Sequence, residues 1–216
     1  MFAYESPPSG HPPGASPTHN ESSIYYIVLY YNYLPVPIFL LENYIPTPEE
    51  TALTPWRGPF LTAWQVSKRV PKKQGVAHAA AVSLKTPLQW QPLTGGLSIT
   101  QPGFTNVHDL FGDKDGLVYL ATRIHAQEEA AWALRIGHDG GVKAFVDGAA
   151  VLCEPRQENP ALPYRSLATI DLAQGDHELV IAFDLNQGFG WGVYACFEVP
   201  ENERKTRRKP CFPRAI

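Results

Sequence analysis

Residues 131–153, AWALRIGHDGGVKAFVDGAAVLC, confine the chain to β structure more tightly than any other stretch. Trp132, Leu134 and Ile136 alternate with Ala133 and Arg135. That period of two sets a half-buried strand. His138-Asp139-Gly140-Gly141 breaks the run, and Val142, Ala144 and Val146 resume it. Asp147-Gly148 then supplies what a two-residue type I′ turn needs, because both central positions of that turn take positive φ. The stretch therefore reads as three short strands and two tight turns.

Further runs extend the pattern. In residues 117–126, LVYLATRIHA, the side chains of Val118, Leu120, Thr122 and Ile124 share one face, and those of Leu117, Tyr119, Ala121, Arg123 and His125 the other. Residues 166–172, 178–183 and 191–199 read as strands, the second with Leu179, Ile181 and Phe183 on one face. Residues 60–66 open the domain as a first strand with Trp64 in the core, and residues 76–84 suit another strand. Pro87 and Pro92 make residues 86–94 an irregular crossing. About nine strands at short spacing, no helical run and Gly/Pro turns predict an all-β fold, an antiparallel two-sheet sandwich over residues 56–200.

The two ends differ from this body. Residues 1–55 hold ten of the 21 prolines and no Lys or Arg. Residues 1–23, rich in Pro, Ser, Gly and His, are expected to be disordered. Residues 24–41, IYYIVLYYNYLPVPIFLL, are apolar and reach the lower length of a membrane span. Asn32, Pro35, Pro37 and the lack of flanking basic residues count against a span and against an ordinary signal peptide. A docking strand, a membrane anchor and a leader foreign to the domain all fit this composition. Residues 201–216 carry six Lys/Arg against two Glu, a net +4. With −3 overall, residues 1–200 carry −7. An acidic body is not expected to bind nucleic acid. The basic tail reads as a solvated, disordered end.

Chemistry-bearing motifs are sparse. The chain has no G-x-S-x-G elbow, P-loop, H-E-x-x-H or helix-opening G-x-G-x-x-G. Whether it is an enzyme stays open, with a small hydrolase or lyase the less favoured reading. FGDKDG, residues 111–116, lacks the first ligand and the distal Glu of an EF-hand loop. Asp109, Asp113 and Asp115 still suit a hard cation in another geometry. Cys153 and Cys196 fall in strands as core thiols, with pairing in an oxidising compartment as the alternative, and Cys211 is free in the tail.

The stretches LRIGHDGGVKAFVDG (134–148), ENPA (158–161) and DLAQGDHELVIAFDLNQGFGWGVY (171–194) resemble two related kinds of domain. One is the galactose-binding-like, jelly-roll β-sandwich attached to bacterial polysaccharide-degrading enzymes. The other is the sugar-binding PA14-type module. The Asp-Gly turns, the Asn-Pro and the closing Gly-Trp-Gly recur there in this order, and the resemblance covers roughly residues 56–199. It implies a glycan or polysaccharide ligand, a neighbouring catalytic domain or subunit, and a secreted or periplasmic setting. It also places the Asp-Gly after the LRIG strand and the Asn-Pro loop at one end of the sandwich. PA14-type modules carry paired Asp residues for calcium and sugar where this chain has His138-Asp139, which leaves a structural calcium open.

Sugar recognition uses planar amide, carboxylate or guanidinium groups for paired hydroxyls and an aromatic face for the ring. The loops supply Asp139, Arg156, Asn159, Tyr164, Asp184 and Asn186, with Trp191 or Phe189 as the aromatic face. Each has a plainer reading. Asp139 suits a turn cap, Asn159 suits turn chemistry before Pro160, and Asp184 and Asn186 suit loop-backbone bonds. Trp191 shares parity with Val193, Ala195 and Phe197, which favours the core. The expected function is a non-catalytic carbohydrate-binding module or accessory domain. The alternative is a structural or protein-interaction sandwich.

Overall fold

A computed structural model describes residues 55–98, 100–207 and 210–216. The apolar stretch 24–41 and the readings attached to it lie outside these residues. Eleven strands form two antiparallel sheets. They are β1 (Ala63–Val66), β2 (Gln91–Thr94), β3 (Thr105–Asn106), β4 (Leu117–Ala126), β5 (Ala130–His138) and β6 (Val142–Val146), then β7 (Ala149–Glu154), β8 (Ser166–Leu172), β9 (Gly175–Asp184), β10 (Gly192–Glu198) and β11 (Arg214–Ala215). The larger sheet has seven strands in the order β2-β1-β4-β9-β6-β7, with β11 also on β4. The smaller has the order β3-β10-β5-β8. The predicted sandwich is the observed fold.

The larger sheet is built on β4 and β9, which pair from Leu117 opposite Asp184 to Ala126 opposite Gly175. The alternation read from the sequence sets their faces. Val118, Leu120 and Ile124 point inward with Leu179, Ile181 and Phe183. They meet Trp132, Leu134, Ile136, Val193, Ala195 and Phe197 of the smaller sheet. Asp147 and Gly148 take φ of 50° and 82°, as the β6–β7 hairpin demands.

The outer face of the larger sheet is apolar too, and this overturns the strand expected over 76–84. Leu117, Tyr119, Ala121, Phe145, Val180 and Ala182 need a cover. Residues 67–90 provide it as an irregular layer containing a 3-10 turn at Val76–His78, and Val76 and Ala79 are buried against the sheet. Lys143 reaches out from β6 and donates to the carbonyls of Ala77 and Ala79, at 2.9 and 3.1 Å. The chain then returns to the sheet sooner than Pro92 suggested. Residues 91–94 form the edge strand β2, where proline is tolerated. A helix of one turn, α1 (His108–Phe111), precedes β4.

The basic tail is not a solvated end. β11 pairs with β4, Arg214 opposite His125. Phe212 packs 5.6 Å from the fully buried ring of Trp132, and the Arg207 guanidinium lies 4.2 Å above that same indole. Arg207 also pairs with Glu128 at 3.2 Å and donates to the Ala131 carbonyl at 2.9 Å. The Arg207 cation is thus spent on the rim of the core. On the outer face of the smaller sheet, the buried carboxylate of Glu198 takes ion pairs from Arg57, from Arg135 at 3.0 Å and from Arg204 at 3.6 Å. All three cysteines are free. Cys196 is buried, whereas Cys153, expected in the core, is exposed on β7 at the sheet edge.

At the hairpin end, the His177 imidazole shares hydrogen bonds with Asp147 at 2.6 Å and the Ala173 carbonyl at 2.9 Å. Burial opposes the imidazolium, but these partners and their charges outweigh it and hold the His177 pKa above its ordinary value. The stabilisation is therefore complete below the unfolded value near ~6.5 and is lost as pH rises through the raised folded value. Urea unfolding of wild type and His177→Gln should differ by up to about 1 kcal/mol at low pH, since the pair is part-exposed. The difference should shrink as pH rises. A gap that widens towards alkaline pH contradicts this account.

Candidate functional site

One end of the sandwich gathers the segments on which the sequence placed its candidates. β5 and β6 belong to different sheets, so residues 139–141 cross from one to the other. The crossing is tight. A Cβ at Gly140 would run into the Asp184 carbonyl oxygen, and one at Gly141 would come within 2.6 Å of the Pro155 oxygen. Loops 112–116, 155–165 and 185–191 and helix α1 meet the same end. The Asp-Gly crossing and the Asn-Pro loop touch, since Glu158 N–H donates to the Asp139 carbonyl at 3.2 Å.

Asp139 is 5% exposed. Its carboxylate accepts from the backbone N–H groups of Trp191 at 2.8 Å and Gly192 at 3.0 Å. Burial raises its pKa, against the opposing pull of those N–H donors. Its neighbour His138 is also buried. One ring nitrogen lies 2.7 Å from the Gly140 carbonyl and the other 3.3 Å from the Ser166 hydroxyl. Burial lowers the His138 pKa, so a neutral imidazole fills the position.

Held by Asp139, Trp191 is 41% exposed, not a core residue. The reason is local. Pairing in β10 begins at Gly192, and Val193, Ala195 and Phe197 turn inward from there. Residue 191 precedes the strand, and its carbonyl accepts from Val107 and His108 instead. Its indole stacks on the His108 ring, with centroids 4.6 Å apart and 10° between planes. Phe189 (50%) and Leu110 (43%) are the other exposed large apolar side chains of these segments.

Asp184 is 8% exposed and accepts from Asn186 N–H at 2.8 Å and from Lys72 Nζ at 3.0 Å. Lys72 also pairs with Asp115 at 3.2 Å, and Asp115 in turn accepts from Gln187 N–H. Burial alone would raise the Asp115 pKa, but Lys72 and the N–H groups of Gln187 and Gly116 hold it below its ordinary value. The Asn186 side-chain amide donates to that of Gln157 at 2.6 Å, linking two loops at the surface. Arg156 and Asn159 are exposed on loop 155–165, and Arg165 pairs with Glu158 beside them.

Tyr164 stands apart from this group. Its ring stacks 5.3 Å from Phe60 and lies under the Arg57 guanidinium at 3.5 Å. The shared-cation geometry for Asp109, Asp113 and Asp115 is also not formed. Asp109 accepts from Asn106, Asp115 binds Lys72, and Gly188 packs on the Asp113 backbone. Among the described residues no three His, Cys, Asp or Glu side chains come together as a metal-ligating group. No helix of the described residues is long and apolar enough to cross a membrane. Lys72, His108 and Gln157 carry no sequence signal, because each acts across a non-local contact.

No family model matches the chain, and no curated protein matches it. Among solved structures it is similar to a β-glucosidase from Kluyveromyces marxianus at 9% identity and a TM-score of 0.42, over 67% of this chain and 17% of that one. It is also similar to a β-glucuronidase from Ruminococcus gnavus at 11% identity and a TM-score of 0.45, over 68% and 30%. The PA14 domain of the MpAFP antifreeze protein aligns at 14% identity and a TM-score of 0.34, over 41% and 45%. The chain thus spans less than half of each of these structures.

Asp139→Ala should leave the N–H groups of Trp191 and Gly192 without an acceptor at a buried site, a loss of about 1–3 kcal/mol. Asp139→Asn keeps one acceptor oxygen and should lose less. Urea unfolding of the two variants checks the order, and equal losses contradict the clamp.

Proposed function

We propose that this domain is a non-catalytic carbohydrate-binding module or accessory domain that captures a glycan at the loop end of the sandwich. The observation that carries the reading is Trp191. It is an exposed indole braced from below by His108 and fixed at its backbone by a buried carboxylate. A rigid aromatic face of this kind covers the apolar C–H face of a sugar ring at low entropic cost.

Polar partners stand in the adjoining loops. The Asn186–Gln157 amide pair keeps one acceptor oxygen and one donor nitrogen for paired hydroxyls. Arg156 and Asn159 add an exposed guanidinium and amide from loop 155–165. Asp139 and Asp184 act as positioning residues, since Oδ1 of each is occupied, by backbone N–H groups in Asp139 and by Asn186 N–H and Lys72 in Asp184. Such a module raises the local concentration of a linked enzyme on an extended substrate.

A protein-interaction sandwich is the second reading, favoured by the exposed apolar side chains Leu110, Phe189 and Trp191. A glycan-array screen of the full chain, followed by Trp191→Ala and Asn186→Ala on any hit, separates the two. Capture should weaken by about 1–3 kcal/mol in each variant. A negative array across plant, algal and host glycans, or binding indifferent to Trp191, overturns the glycan reading in favour of the protein partner.

A further inference from the structure

A second concave site lies away from the Trp191 loop, on the outer face of the larger sheet. The irregular layer over residues 67–90 does not close completely there. It leaves a cleft of about 340 Å³ between residues 70–79 and strand β4. That volume falls within the range of small-molecule sites. The floor is Val70, Ala79, Leu117 and Tyr119, and the rim is Lys73, Gln74 and His78.

Two features of this lining point to a ligand. Tyr119 is only 5% exposed, yet its hydroxyl has no hydrogen-bond partner among the described residues while the residue lines the cleft. The hydroxyl opens to solvent at the cleft and is free to bond a molecule held there. The charge of the lining is also one-sided. Lys73 and His78 are exposed at the mouth, and among the described residues neither has an ion pair and no carboxylate lines the cleft. Lys72 next door is different, being already paired with Asp184 and Asp115.

From this we infer that the cleft binds a small ring compound bearing a carboxylate. The ring lies on the apolar floor, a ring hydroxyl meets the Tyr119 phenol, and the acid group meets Lys73 at the rim. A sugar acid and an aromatic acid share this chemistry, and the test distinguishes them.

The full chain is titrated by heteronuclear NMR with D-glucuronate, 4-hydroxybenzoate, D-glucose and acetate. One of the two ring acids should shift the amide signals of Gly75, His78 and Tyr119 saturably, and which one does so names the source. D-Glucose and acetate should bind at least about tenfold more weakly, since each lacks half of the recognised chemistry. Lys73→Gln, a change at an exposed side chain, should weaken the ring acid about tenfold, and Tyr119→Phe, which keeps the ring and the packing, several-fold. Trp191→Ala should leave this binding unchanged, so its outcome is separate from that of the glycan array. Acetate acting as strongly as the ring acids, no saturable shift at these residues, wild-type affinity in both variants, or loss in Trp191→Ala each overturns the inference.

Discussion

The end of the sandwich depends on one buried carboxylate. Asp139 sits where the chain leaves the four-stranded sheet for the seven-stranded one, and it accepts from the two N–H groups that open β10. A charge taken out of water is costly unless its oxygens are satisfied. Here they are satisfied by backbone, so the crossing and the 185–191 loop are fixed to each other. Trp191, exposed at that end, inherits its position from this contact. Gly140 and Gly141 are its sterical complement, since side chains there would strike the Asp184 and Pro155 backbone.

A similar economy governs the two outer faces. Each sheet is apolar on its inner side, as a sandwich requires, and each outer side is covered in part, with the outward residues of β8 left to solvent. The larger sheet is roofed by residues 67–90 and bolted to that roof by Lys143. The smaller sheet carries Tyr194, Phe104 and Phe60 in an aromatic cluster, beside Glu198 among its arginines. A lone buried carboxylate would be strongly unfavourable, and three guanidiniums make it tolerable. The same arginines tie the entering chain at Arg57 and the leaving chain at Arg204 to the sheet.

Most of the fold was legible because its determinants are local. The alternation in residues 117–126 and 131–146 fixed which side chains meet in the core, and Asp147-Gly148 fixed the hairpin. What sequence reading missed is non-local. Residues 76–84 look like a strand because they are apolar, but their apolar side chains serve as a lid on a sheet whose second face is also hydrophobic. The tail reads as a charged, solvated end because its partners, Trp132, Glu128 and Ala131, lie some seventy to eighty residues earlier in the sequence. Parity places Trp191 in the core, but parity holds only inside a strand, and Trp191 lies one residue before one. The candidates Asp139, Asp184, Asn186 and Trp191 do converge on one end, whereas Tyr164 is drawn away by Arg57 and Phe60.

The three cysteines divide sharply in chemical character. Burial pushes the Cys196 thiol up to about 12, so almost no thiolate exists there at neutral pH. The thiolate is the species that alkylates, exchanges and oxidises. Cys196 is therefore silent towards mild reagents, while Cys153 on the edge strand and Cys211 in the docked tail face solvent. The folded domain thus offers two addressable sulfurs, one on the edge strand β7 and one in the tail just before β11. A third becomes addressable only when β10 leaves the sandwich, which makes Cys196 an internal reporter of global unfolding.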